Sequence, residues 1–334
     1  VAGDVPGNLA DFMDRQIKRF AFRELTAGTD EKALGWTSLD NVLDTDFPYA
    51  NYSLGDYFVF SLRIDRRAVP PALLKLRVLK AEKEFREEKG LKKLYKAQRE
   101  DIRETVKLGL QSRAQPVPSF HEVCWSVSDK WVLFGSLAEK VNEEFKDLFK
   151  RSFNLSLSPF IPWDPGALPE GITHPGREFL TWLWFKSEER GGSVMIPGTG
   201  DVEVIFLQKI VLESGEGEYA ETVACRGLHA DLEEGKSALR KGKKVTEARI
   251  QLGAGNDRFE FTFKADTFSF QSLRLPVPTD PDDDDREGKI LERIALVEVA
   301  IKTMELLFAL FLEKRLSSEW ESGNLPPMKK WLGA

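Results

Sequence analysis

From Pro70 and Pro71 to Gly109 the chain runs without a further proline, through residues dominated by leucine, lysine, arginine and glutamate. Proline is tolerated in a first helical turn, so the pair reads as the start of a helical element. A helical arm is expected over 70–109. Gly90 is the point that divides it, because glycine inside a helix costs about 1 kcal/mol relative to alanine. Its charges are grouped. At helical spacing Lys89, Lys92, Lys96, Arg99, Arg103 and Lys107 follow one another at steps of three or four, with Lys93 beside them, so they are expected on one face. The row would be roughly 27 Å long at about 1.5 Å per residue. That length follows several phosphates of a duplex, which carries one charge per about 1.7 Å. A solvated helix face has the same pattern, and Glu100, Asp101 and Glu104 interrupt the cluster.

The arm matters because the whole chain is acidic. Its net charge is -6, yet residues 1–165 hold 26 Lys+Arg against 25 Asp+Glu and residues 166–334 hold 22 against 29. This excludes a histone-like coat of positive charge but not a basic groove on an acidic body. The 334 residues suffice for about two domains. The segment WDPGALPEGITHPG marks the boundary, giving 1–165 and 166–334. Cys124 and Cys225 lie in apolar strand-like runs, which excludes a disulfide scaffold and favours the cytosol. The longest apolar helix is broken by Glu298, Lys302 and Glu305, so no membrane partner is expected. VAGDVPGN reads as the end of a strand turning into a helix, so a further strand is expected before Val1.

Element by element, Asn8 caps a helix over LADFMDRQIKRFAF, and a turn-rich segment containing GWTSLDN follows. YFVFSLRID is a strand, FHEVCWSVSDKWVLFGS a strand pair, LAEKVNEEFKDLFKRSF a helix and LSLSPFIP a strand. Beyond the boundary come a helix GREFLTWLWFKSEE, strands around DVEVIFLQKIVLES and EYAETVACRG, a helix DLEEGKSALRKG, three strands over KVTEARIQLG, DRFEFTFKA and FSFQSLRLP, and a long apolar helix over 286–319. The fold class is α+β, with mixed or antiparallel sheets, packed helices and a long basic helical arm.

Several residue sets suggest chemistry. PDDDDREGK contains Asp282, Glu287 and Lys289, a carboxylate-and-lysine set of the kind that holds Mg²⁺ in nucleases. It sits in a charged loop entering a helix rather than on a buried strand, and acidic residues in a first helical turn are explained by the helix dipole. His121, His174 and His229 are far apart, and no phosphate-cradling loop appears. No cofactor or metal is expected. A second basic cluster, Arg240, Lys241, Lys243 and Lys244, lies at a helix-to-strand turn. Trp320 and Trp331 suit base stacking or interface packing.

The order of motifs resembles the recombination-associated protein RdgC family, a bacterial family sometimes labelled an exonuclease. The motifs are Gly35-Trp36, YFVFSLRID before a proline-led helix, EKGLKKLYK, SRA at Ser112 to Ala114, the strands around Trp125, LAEKVNEEFKDLFKRSF and PFIP. GREFLTWLW, DLEEGKSALRKGKKVTEARIQL, FSFQSLRLP and the C-terminal helix continue it. The chain departs from the family in PVP, in DDDD and in the tail NLPPMKKWLGA. The resemblance implies a cytoplasmic, nucleoid-associated protein that binds double-stranded DNA without catalysis, a homodimer closed as a ring around the duplex, and restraint of a RecA-type recombinase. It implies DNA contact by the arm, Arg113 and the 240–244 turn, and a dimer contact near Phe120. Phe308, Phe311 and Trp331 are candidates for the opposite contact. The rival readings are a metal-dependent exonuclease and a docking protein for a recombinase filament.

Overall fold

Alternation of large apolar and polar residues along 57–67 makes that segment the spine of an antiparallel sheet, as the computed structural model shows. It describes residues 1–25, 30–215, 221–227, 233–277 and 285–333. The chain is α+β, with antiparallel sheets, and divides into two units, Val1–Ser158 and Pro159–Ala334. The division falls a few residues before the 165/166 boundary read from the sequence.

The first unit contains α1 (Leu9–Arg19), β1 (Lys32–Thr37), β2 (Ser53–Leu54), β3 (Tyr57–Arg67), α2 (Pro71–Lys89), α3 (Lys96–Gln111), β4 (Pro116–Ser126), β5 (Trp131–Phe134) and α4 (Glu139–Phe153). The strand order is β1-β3-β4-β5, with β2 beside β3. One face buries Trp36, Phe60, Leu62, Ile64, Val123 and Trp125 against Met13 and Ile17 of α1 and Phe145, Phe149 and Phe153 of α4. Trp36 also donates its indole N–H to Ser152 Oγ at 2.9 Å, so this fully buried side chain is satisfied as well as packed.

Three local expectations are corrected here. KALGWT is a strand rather than a turn, because Lys32–Thr37 pairs antiparallel with β3; the chain at Ala21 and Phe22 crosses closely over Gly35, where a Cβ would lie 2.4 Å from the Phe22 Cα. Asn8 holds the N-cap position of α1, but its amide donates to Asp11 instead of accepting from the helix. LSLSPFIP forms no strand; only Ser156 pairs, antiparallel, with Ala2. β4 also begins earlier than expected, at Pro116. Its first half has only β3 beside it, since β5 pairs with Val123–Ser126 alone, and an edge tolerates the missing N–H groups of Pro116 and Pro118.

The second unit contains α5 (Pro175–Glu188), β6 (Ser193–Ile196), β7 (Gly200–Ser214), β8 (Glu221–Arg226), α6 (Glu233–Arg240), β9 (Lys244–Ala254), β10 (Asp257–Lys264), β11 (Ser269–Arg274), α7 (Arg286–Leu316) and α8 (Leu325–Leu332). The strand order is β11-β10-β9-β7-β6, with β8 beside β7. Phe259, Phe261 and Phe263 alternate inward from β10 and meet α5 and α7 in one core. α5 buries Phe179, Leu180, Trp182, Leu183 and Trp184, an apolar surface nearly all round, as suits a helix covered by other elements on several sides. Phe308 and Phe311 are each 1% exposed in that core. They cannot form a surface dimer contact, which corrects the expectation for the C-terminal helix. The tail is also ordered: α8 seats Trp331 against Trp184 and Phe185, with its indole N–H on Glu188 at 2.5 Å.

Candidate nucleic-acid interface

The arm is a hairpin of two helices. α2 ends at Gly90, which takes the left-handed conformation at φ 62°, and the Leu91 N–H turns back to the Arg86 carbonyl at 2.9 Å. Half-buried Leu74, Val78 and Phe85 on α2, and Ile102, Val106 and Leu110 on α3, recur at helical spacing and line the seam. Leu94, 8% exposed, closes the turn. At the base, Gln111 and Lys107 both bond Glu31, at 2.7 and 3.5 Å, and together hold its carboxyl below the usual range.

This geometry corrects the single basic row. Lys89 ends α2 and Lys92 and Lys93 lie in the turn, so they do not continue the face of α3. What α3 retains is Lys96, Arg99, Arg103 and Lys107, over about 17 Å at 1.5 Å per residue. At 100° per residue these four fall within an arc of about 80°, and Glu100, Asp101 and Glu104 occupy the arc beside it rather than breaking the row.

Charge is unevenly placed along the hairpin. Residues 71–111 hold 12 basic and 7 acidic side chains, while 89–99 alone hold five basic and no acidic ones. The two shafts therefore balance, and the entire excess of five sits at the tip: Lys89, Lys92, Lys93, Lys96 and Arg99. All five are exposed. Lys89 meets Glu88 at 3.2 Å and Lys96 reaches Glu100 at 3.9 Å, both on the surface, where such pairs are worth little. Among the described residues, Lys92, Lys93, Arg99, Arg103 and Arg113 make no side-chain ion pair or hydrogen bond.

The second cluster is spent inside its own unit. Lys243 is 8% exposed and bonds Glu221 at 2.8 Å and Ser214 at 3.1 Å. Lys244 pairs with Glu178 at 2.9 Å. Arg240 donates to the Leu332 carbonyl at 2.6 Å, tying down α8. Lys241 stays exposed. The sequence reads as a basic turn, but three of its four cations are structural.

Phe120, 41% exposed, lies on the sheet face away from α1 and α4, beside Arg63, whose guanidinium is 5.7 Å from its ring and doubly bonded to Asp65. Trp320 packs on Phe311 in the second unit, and Trp331 is seated as described. Neither is presented for base stacking.

Of the nuclease set, Glu287 and Lys289 lie among the described residues. Asp282 lies outside them, as does His229. Glu287 and Lys289 lie in the first turn of α7, where Asp285 caps by accepting the Gly288 N–H at 2.8 Å. Among the described residues no group of three His, Cys, Asp or Glu is placed to hold a metal, and no helix is long and apolar enough to cross a membrane. A cavity at the start of α5 is lined by Trp163, His174, Arg177 and Asp266. Its guanidinium is engaged by Asp266 through two bonds of 2.7 Å. His121 is half-buried on β4 with no partner at Nε2.

Sequence reasoning passed over Tyr95, which is 77% exposed at the arm tip. The available signal is an aromatic at the N-cap of a helix, where Ser, Thr, Asp or Asn is usual. No protein-family model matches the chain, and no curated protein matches it.

Proposed function

We propose that the chain is a sequence-independent double-stranded DNA-binding protein whose helical arm supplies the phosphate contacts. The observation that carries this is the tip, where five exposed cations stand without a carboxylate among them on an otherwise acidic protein. Cations of this kind, on long flexible stems and without base-reading neighbours, neutralise phosphates irrespective of sequence. The RdgC resemblance extends the proposal to a homodimer that encircles the duplex through a contact near Phe120 and restrains a RecA-type recombinase at the nucleoid. No catalytic step is assigned.

Fluorescence anisotropy with two duplexes of unrelated sequence tests it across a salt series. Both should bind alike, and the log-log slope should be about -0.9 per phosphate neutralised, or about -4.5 for five tip cations on one arm. Absence of binding at about 50 mM salt, or a slope near zero, refutes the reading.

A further inference from the structure

One side chain of the tip is left unexplained by phosphate binding. Tyr95 occupies the N-cap of α3, a position favouring short oxygen-bearing side chains that accept a backbone N–H. The helix start is held in another way, since Gln98 Oε1 accepts the Tyr95 backbone N–H at 3.0 Å. Helix stability therefore does not call for a tyrosine. Packing does not either. The neighbouring Leu94 takes the buried position of the turn, and Tyr95 is sent outward with its ring 77% exposed. Among the described residues, no aromatic or cationic group is stacked on that ring.

Around it stand Lys92, Lys93, Lys96 and Arg99, with no acidic residue between Glu88 and Glu100. An exposed aromatic set among cations is the combination by which proteins hold single-stranded nucleic acid: the cations track the backbone and the ring stacks on a base. In an intact duplex every base is already stacked on its neighbours, so the ring has nothing to receive it. We infer that the arm tip is a site for unpaired nucleotides in DNA, at a gap, an overhang or a bubble, with Tyr95 as the stacking residue. The inference rests on the reading that the arm contacts DNA, and it adds a preference that phosphate contacts alone do not give.

Three labelled DNA probes test it: a single strand, a full duplex of the same length, and that duplex with a short central mismatch bubble. Tyr95→Ala should weaken the single strand and the bubble by about 5- to 150-fold, the range for removal of one base–aromatic stack, and leave the duplex within about twofold. Tyr95→Phe should bind as the wild type does. A 2-aminopurine placed in the bubble should be quenched by the wild type and by Tyr95→Phe, but not by Tyr95→Ala. Duplex binding by the wild type, together with equal effects of Tyr95→Ala on all three probes or none on any, overturns this inference alone. Failure of the wild type to bind any probe overturns both this inference and the reading of the arm as a DNA contact.

Discussion

Gly35→Ala asks whether the crossing of residues 20–22 over β1 is a requirement of the first unit. A Cβ at position 35 would lie 2.4 Å from the Phe22 Cα, 2.5 Å from its nitrogen and 2.8 Å from the Ala21 carbonyl carbon, all backbone atoms that no rotamer can move. Relief requires the crossing chain to lift by about 1 Å, which is enough to break short hydrogen bonds. Two are at stake, from the Phe22 N–H to the Trp36 carbonyl at 2.8 Å and from the Trp36 N–H to the Phe20 carbonyl at 3.0 Å. Each contributes about 1 kcal/mol. Phe22 is 4% exposed, and its burial contributes about 1.5–3 kcal/mol. The Arg63 guanidinium, 4.0 Å from the Phe22 ring centroid, adds about 0.5–1 kcal/mol. The expected loss is about 4–6 kcal/mol, a large share of the total stability of a typical domain. Hydrogen exchange read by mass spectrometry over peptides spanning 32–37 and 57–67 measures it, and exchange there should quicken by at least about 100-fold. A change equivalent to less than about 1 kcal/mol would show that the crossing segment yields freely, and the reasoning would fail.

Three further outcomes follow from the same structure. Burial, with Arg66 nearby, pushes the His121 imidazole below its usual value, although the Gly135 carbonyl accepts from the ring. The unfolded chain then binds more protons between the folded value and about 6.5, so stability should fall as pH drops through that window. His121→Phe should flatten this loss in urea midpoints measured between about pH 7.5 and 5.5; an unchanged slope contradicts it. Trp331→Ala removes the ring seated on Trp184 and Phe185, loosening α8 by about 2–3 kcal/mol, which tryptic cleavage after Lys329 and Lys330 should report. For the proposed homodimer, light scattering at micromolar concentration should give twice the chain mass. The wild type should leave linear DNA sooner than closed circles, and Phe120→Ser should bind duplex yet leave both at similar rates, whereas a wild-type monomer would rule out encirclement.

What could be read in the sequence was whatever short-range pattern fixes. β10 announces itself through Phe259, Phe261 and Phe263, and α5 through its dense aromatic run, because inward alternation and helical spacing survive in any context. β1 was hidden, since its strand character comes from the ladder it forms with β3, outside the segment. The same limit applies to Lys243 and Lys241. They are two residues apart in one basic turn, and only Glu221 and Ser214, brought in from β8 and β7, decide that one is buried while the other is exposed. In the arm, Gly90 marked the break, but a lysine row drawn straight through it assumed one helix axis where the structure has two. The redistribution of charge to the tip follows from that fold-back.

The central claim is that the arm's charge acts at its tip. Salt-dependent duplex binding should be compared between Lys92→Gln/Lys93→Gln/Lys96→Gln and a control on the α2 shaft, Lys75→Gln/Lys80→Gln/Lys83→Gln, which removes the same charge. The tip variant should flatten the log-log salt slope by about 2.7, at about 0.9 for each phosphate that is no longer neutralised, while the shaft variant keeps the wild-type slope. Equal slopes for the two variants, whether both flattened or both unchanged, would contradict DNA binding focused on the tip.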